Sequence, residues 1–247
     1  MIDLHCHILP GIDDGADIME ESCMMARMAL DCGVTCIAAT PHCNVPGQLD
    51  NYAGERLSES FESLRRELVA EGLPLRLCEG MEVFATPQLP ELLDEGKLLT
   101  LGGSRYLLIE FGFDETERFV ERMLGAVEER GLVPVIAHPE RYYFVQDAPE
   151  TLESWAAGGR ILQLNKGSFF GMFGRYAAKT AHWCLERGCI HLIGSDAHSP
   201  YRRTTRLDDI YDYVADVAGL ETAELLLNEN PAKILEDRGI FTAFMNF

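Results

Sequence analysis

Basic residues are scarce in this 247-residue chain: 21 lysines and arginines stand against 40 aspartates and glutamates, for a formal net charge of −19. So large a negative excess argues against non-specific binding to nucleic acid or to an anionic membrane, since both reward positive surface. An anionic substrate would need local help from metals or arginines. No apolar run reaches the roughly 18 residues that a membrane span needs. The N-terminal segment has neither a basic region nor an unbroken apolar stretch, so neither a signal peptide nor membrane insertion is expected, and the cytoplasm is the default location. The eight cysteines include no C-x-x-C pair, and most lie inside apolar periodic segments. They read as reduced core thiols rather than a disulfide framework. No cysteine has an arginine six positions later, which excludes the C-x5-R phosphate loop of cysteine-dependent phosphatases. Low-complexity tracts, linkers and short repeats are also missing.

What remains is an alternation of strand-like and helix-like segments, with 47% hydrophobic residues overall. Strands are expected near 1–6, 34–40, 75–83, 105–111, 133–138, 161–165 and 190–195. Amphipathic helices are expected over 20–31, 52–71, 115–130 and 174–187, each followed by a glycine suited to a helix end (Gly33, Gly72, Gly131, Gly188), with two or three more in 205–238. Seven βα units fit one closed or nearly closed α/β barrel spanning 1–247 better than two domains. In such barrels the active site lies at the C-terminal ends of the strands.

Polar residues fall at those ends. His5 and His7 are two apart on a strand, so they share a face, with Cys6 pointing away. Asp13-Asp14-Gly15 follows, with Asp14 preferred over Asp13 as a ligand. His42 follows Ile37-Ala-Ala-Thr-Pro. Glu82 closes the strand from Leu75, and Glu79, three residues earlier, faces the other side. Glu110 ends Tyr106-Leu-Leu-Ile, where a charge is costly to bury unless it is paired or metal-bound. His138 ends Val133-Pro-Val-Ile-Ala, and Asp196 and His198 form a second alternating pair. Asn165 reads as a supporting or substrate-contacting residue, His182 and His191 as structural, and Lys166 as a solvated lysine.

Nine candidate ligands exceed the four of a tetrahedral zinc and suit two or three metals with bridging carboxylates. Imidazole and carboxylate without thiolate favour Mn, Fe or Zn. Clustered metals activate water near neutral pH and clamp the oxygens of an in-line displacement, so hydrolysis of a phosphoester is the natural chemistry. Arginine suits the non-bridging oxygens. Arg141 and one of Arg202, Arg203 and Arg206 are the candidates. His7, His42 or His198 could protonate the leaving group.

Together, H-x-H, D-D-G, T-P-H, G-x-E, I-E-F, A-H-x-E-R-Y and S-D-x-H resemble, in this order, the polymerase and histidinol phosphatase (PHP) superfamily. Gly80-Met-Glu-Val-Phe-Ala-Thr-Pro87, Ser104-Arg-Tyr-Leu-Leu-Ile-Glu-Phe111, Ala137-His-Pro-Glu-Arg-Tyr142 and Asn230-Pro narrow the resemblance to the CpsB/CapC branch of metal-dependent protein tyrosine phosphatases, over Met1 to about Lys233. It implies a distorted (β/α)7 barrel of the PHP type, similar to a TIM barrel, with a trinuclear site, usually Mn2+, held by the nine residues above. It also implies phosphate-binding roles for Arg141 and Arg203, and dephosphorylation of the tyrosine-rich tail of a bacterial tyrosine kinase that controls capsular or exopolysaccharide synthesis. Cys43-Asn44-Val45 stands where relatives sometimes carry basic residues. The alternative is a small-molecule phosphomonoesterase acting on histidinol phosphate or a sugar phosphate. A non-enzymatic metal-binding module and a PHP exonuclease fit less well, the latter because of the acidic surface. Oligomerisation stays open.

Overall fold

Parallel strands need crossover connections, and the alternating pattern supplies them. The structure is a computed structural model that describes residues 1–240; the last seven positions of the expected 1–247 domain lie outside the described residues. Strands β1 (Ile2–Cys6), β2 (Cys36–Ala39) and β4 (Arg76–Glu79) form one parallel arc in the order β1-β2-β4. A second arc runs through β3 (His42–Cys43), β5 (Glu82–Phe84), β6 (Tyr106–Glu110), β7 (Val133–Ala137), β8 (Ile161–Asn165) and β9 (Leu192–Gly194). Backbone hydrogen bonds close the ring beyond β9: Asp196 N–H donates to the His5 carbonyl and His7 N–H to the Ala197 carbonyl, each at 2.9 Å. The result is the expected distorted (β/α)7 barrel.

Two expected strands are broken. The 34–40 segment stops at Ala39 and resumes at His42; the 75–83 segment stops at Glu79 and resumes at Glu82. Pro41 has no N–H to give to a ladder. Gly80 sits beside the first break, where a Cβ would meet Thr40 Cγ2 and Leu101 Cδ2 at 3.2 Å. The paired breaks re-aim His42 and Glu82, whose Cα atoms are register partners between β3 and β5.

Alternation along the strands divides the core. Tyr106, Leu108, Val135, Ala137, Ile161 and Leu192 gather in one buried cluster with Ile234 of the C-terminal helix Asn230–Leu235. By period-two geometry, Tyr106 and Leu108 share a face with Glu110, and Ile161 shares one with Gln163 and Asn165. The opposite residues, including Leu107, Ile109, Leu162 and Ile193, meet the apolar stripes of the surrounding helices, such as Leu57, Phe61, Leu64 and Leu68 of Glu55–Ala70. Burying a residue like Phe61 contributes roughly 1.5–3 kcal/mol.

The expected helices form over Met19–Asp31, Glu55–Ala70, Glu117–Glu128 and Arg175–Arg187. Gly188 ends the last of these in the left-handed region, at φ 64°. The 205–238 segment holds Asp208–Ala218, Leu220–Glu224 and Asn230–Leu235, with a π-helical turn, Leu225–Glu229, between the last two. No helix among the described residues is long and apolar enough to cross a membrane. All eight cysteines are unpaired, and all but Cys32 are buried.

Candidate metal centre

The strand ends converge on one buried cluster. His5 and His7 leave β1 side by side, with ring centroids 5.4 Å apart. His5 Nε2 lies 3.2 Å from Glu82 Oε2 and 3.5 Å from Asp196 Oδ1, and His7 Nε2 lies 3.3 Å and 3.6 Å from the same atoms. His42 Nδ1 lies 3.0 Å from Glu82 Oε2 and 3.6 Å from Glu110 Oε2. His138 Nε2 lies 3.0 Å from Glu82 Oε1 and 3.4 Å from Glu110 Oε1. Asp14, at the mouth, lies 3.5 Å from His42 Nε2 and 3.3 Å from His198 Nε2.

These contacts resolve into four groups whose potential ligand atoms lie within 4.8 Å of one another: His7, Asp14, His42 and His198; His5, His7 and Asp196; His5, Glu82 and His138; and His42, Glu82 and Glu110. All nine residues singled out in the sequence occur in them. His5, His7, His42 and Glu82 each belong to two groups, the arrangement that shared or bridging ligands produce.

Buried partners fix the imidazoles from behind. Gln163 Nε2 donates to the Leu164 carbonyl at 2.7 Å, which orients the amide so that Oε1 faces His5 Nδ1, also at 2.7 Å. That oxygen only accepts, so Nδ1 carries the proton and His5 Nε2 presents its lone pair to the cluster. Asp13 Oδ2 does the same for His7 Nδ1 at 2.7 Å and also accepts from the His42 N–H. His198 Nδ1 faces the Asp196 carbonyl at 3.0 Å. Asp3, fully buried, accepts from the His5 and Ser195 N–H groups.

The electrostatics suit a cation. Burial opposes ionisation of Glu82 and Asp196, yet the surrounding imidazoles, with Arg203 beside Asp196, hold both well below the usual carboxylate range. Glu110 goes the other way: burial, then the charges of Glu82 and Asp196, push it well up. Burial lowers His138 to about 4, and it lowers His42 and His198 as well, so these imidazoles favour the neutral, metal-ligating form. Glu82 Oε2 and His42 Nδ1 are buried and, although 3.0 Å apart, lack hydrogen-bond geometry with each other or with any other group. Orphaned polar atoms at the centre of a mixed imidazole–carboxylate set are what divalent-metal ligands look like without their ion, and the donor set fits.

Three of the five non-glycine residues with positive φ among the described residues are here: His138 (34°), Asp196 (49°) and Arg203 (55°). Backbone strain of this kind persists where surrounding structure fixes it and clusters at functional sites. Arg203 pairs with the Asp196 carboxylate, and its Nε donates to the Asp196 carbonyl at 3.1 Å. Arg141 Nη1 lies 3.7 Å from Asp196 Oδ2. Arg206 pairs instead with Asp208, outside the cluster. Arg202 lines a cleft of about 570 Å³ together with Asp14, His198, Phe173, Tyr201 and Arg203.

Other expectations divide. Glu79 faces outward and pairs with Arg65 at 3.0 Å. Asn165 supports the cluster, donating to Asp196. His182 bonds Tyr213, and His191 accepts from the Leu162 N–H. Lys166 is not solvated: it is buried, and its ammonium donates to the Arg206 carbonyl. Four contributors escaped the sequence reading: Asp3, Gln163, Phe113 and Phe173. Gln163 had a signal, a polar residue inside the apolar run Ile161-Leu-Gln-Leu on the face of Asn165.

The chain is similar to known proteins over nearly its whole length. The family model for capsular polysaccharide synthesis, CpsB/CapC, matches residues 1–236. The tyrosine-protein phosphatase YwqE of Bacillus subtilis (strain 168) is 34% identical over 241 residues, covering 98% of this chain and 94% of that protein. A chain from the crystal structures of YwqE and of CpsB from Streptococcus pneumoniae, described as unique metal-dependent tyrosine phosphatases, superposes with a TM-score of 0.91 at 33% identity, covering 98% of this chain and 97% of that one. The histidinol phosphate phosphatase of Lactococcus lactis subsp. lactis Il1403 shares the fold at 13% identity, with a TM-score of 0.55 and coverage of 92% and 94%.

Proposed function

The chain belongs to the CpsB/CapC family of capsular polysaccharide synthesis, and from this premise we propose that it is a metal-dependent protein tyrosine phosphatase whose substrate is the phosphotyrosine tail of a bacterial tyrosine kinase controlling capsular or exopolysaccharide assembly. The carrying observation is the convergence of nine imidazole and carboxylate side chains within ligand-sharing distance, beside two arginines. His5, His7, Asp14, His42, Glu82, Glu110, His138, Asp196 and His198 would hold two or three ions, Mn2+ first, with Fe or Zn as alternatives. Such ions, when bound, supply activation of water near neutral pH and neutralisation of phosphoryl charge.

The chain's own residues do the rest. Gln163 and Asp13 hold His5 and His7 in the tautomer that presents Nε2 to the cluster. Arg141 and Arg203 bind phosphoryl oxygens. His42 and His198 flank Asp14 at the mouth, and their side chains are 17% and 10% exposed whereas those of His5 and His7 are at 0%. They are therefore the imidazoles placed to meet the departing tyrosine oxygen. We read the barrel as one phosphatase domain working in the cytoplasm.

A small-molecule phosphomonoesterase is the competing reading, since the histidinol phosphate phosphatase shares this fold. Turnover of a phosphotyrosine peptide against histidinol phosphate and a sugar phosphate, with Mn, Fe and Zn compared, separates them. Preference for the peptide supports the tyrosine phosphatase; selective turnover of a small phosphate replaces it with the alternative.

A further inference from the structure

Arg141 lies between two aromatic rings. Its guanidinium carbon is 4.3 Å from the Phe113 ring centroid and 4.2 Å from that of Phe173. Phe173 also lies 5.5 Å from the Arg203 guanidinium carbon. The two phenylalanines follow different strands: Phe113 comes after β6 and Phe173 after β8.

A guanidinium has two π faces and an in-plane fork of N–H donors. Contact with the ring π-systems uses none of the N–H donors, so the fork stays open, and the fork is what matches two phosphoryl oxygens. Attraction to the rings also holds the cation off its nearest carboxylate. Arg141 Nη1 stops 3.7 Å from Asp196 Oδ2, beyond hydrogen-bond reach, whereas Arg203 is bonded to that carboxylate. An arginine that bonds Asp196 commits part of its fork to it, as Arg203 does through Nη2 and Nε, whereas Arg141 keeps its whole fork.

The seat of Phe173 depends on one small residue. A Cβ on Gly167 would come within 2.8 Å of Phe173 Cε2 and 3.2 Å of Met172 Sδ. Gly167 is itself held by its N–H bond to Asn165 Oδ1 at 3.0 Å and by the Met172 N–H on its carbonyl at 2.9 Å.

We propose that Phe173, together with Phe113, is a positioning residue for phosphoryl binding: the rings keep the in-plane donors of Arg141 free for the substrate phosphate, and Phe173 ties Arg141 to Arg203. The proposal rests on the phosphatase reading of the same centre, and its test separates the two.

The metal-loaded full chain is assayed for KM and kcat on a phosphotyrosine peptide, for Kd of inorganic phosphate by calorimetry, and for metal content. Phe173→Leu is expected to raise KM and the phosphate Kd roughly five- to tenfold, with kcat within about twofold and metal content unchanged. Phe173→Tyr, which keeps the ring, restores both constants. Gly167→Ala, which displaces the ring without removing it, shifts them in the same direction as Phe173→Leu. Wild-type phosphate affinity in Phe173→Leu, or a Tyr variant as weak as the Leu variant, overturns the proposal. If Phe173→Leu fails to fold, an unchanged phosphate Kd in Gly167→Ala overturns it equally. A wild type that binds phosphate in a Phe173-dependent way without hydrolysing the peptide overturns the phosphatase reading alone.

Discussion

Gln163 Oε1 and His5 Nδ1 meet at 2.7 Å inside the barrel, joining strands that lie 158 residues apart in the chain. The same spot leaves no room for a side chain on Gly194, whose Cβ would come within 2.7 Å of Gln163 Nε2 and 2.9 Å of His5 Cβ. Glycine on β9 lets glutamine on β8 set the tautomer of a histidine on β1.

Replacing Gln163 with leucine should therefore leave the barrel folded and weaken metal binding about 10- to 100-fold, the usual effect of removing a partner that orients a ligand. Metal titration followed by calorimetry measures it. An unchanged affinity would show that His5 needs no such support.

Gly15 seals the turn that carries Asp13 and Asp14. A Cβ there would fall 2.1 Å from the His7 carbonyl oxygen and 2.5 Å from His7 Cβ. Since backbone cannot yield cheaply, Gly15→Ala should push His7 and Asp14 apart, with loss of metal and a fall in kcat of about 10³-fold or more, equivalent to ~4 kcal/mol of transition-state stabilisation. Near-normal activity in this variant would contradict the packing described for the turn.

Arg141→Ala should raise KM for a phosphotyrosine peptide by roughly tenfold or more while bound metal stays constant. Steady-state kinetics with metal analysis on the same samples reads both. Loss of metal would make Arg141 a structural partner of Asp196 instead.

His191 makes a pH prediction away from the cluster. Burial lowers it to about 4 in the folded chain, and its Nδ1 must stay unprotonated to accept the Leu162 N–H at 3.1 Å. The unfolded chain has an ordinary imidazole, near 6.5. Above that pH neither state binds the proton and stability is full. As pH falls from about 6.5 towards 4, only the unfolded state takes it up, and up to roughly 3 kcal/mol is lost. His191→Asn keeps an acceptor that does not titrate, so the variant should be less sensitive to acid across this window. Denaturant unfolding of both metal-free proteins at pH 7, 5.5 and 4.5 checks the difference; parallel curves would refute it.

The barrel was legible in the sequence because most strands are short apolar runs and the four longest amphipathic helical patterns are each followed closely by a glycine. Its candidate site was legible because a charge after four apolar residues, as at Glu110, has few inexpensive homes. Features set by contacts between distant segments were not. The breaks at Pro41 and Gly80 arise where two neighbouring strands bend together, so neither is visible in its own segment. Lys166 looked solvated because its acceptor, the Arg206 carbonyl, is 40 residues away. Phe113 and Phe173 looked like ordinary loop aromatics until folding placed Arg141 between them. Which of Arg202, Arg203 and Arg206 reaches the cluster was not legible either: Arg203, with left-handed backbone, bonds Asp196, while Arg206 pairs with Asp208.

The central claim is that the converging imidazoles and carboxylates hold a metal cluster that hydrolyses phosphotyrosine. The most direct measurement titrates metal-free protein with Mn2+ and follows bound metal and phosphotyrosine-peptide turnover together, beside His5→Ala. Turnover that rises with two or three bound equivalents, vanishes on chelation and is lost in the folded His5→Ala protein is the predicted result. Turnover indifferent to chelation, or undiminished in His5→Ala, would contradict it.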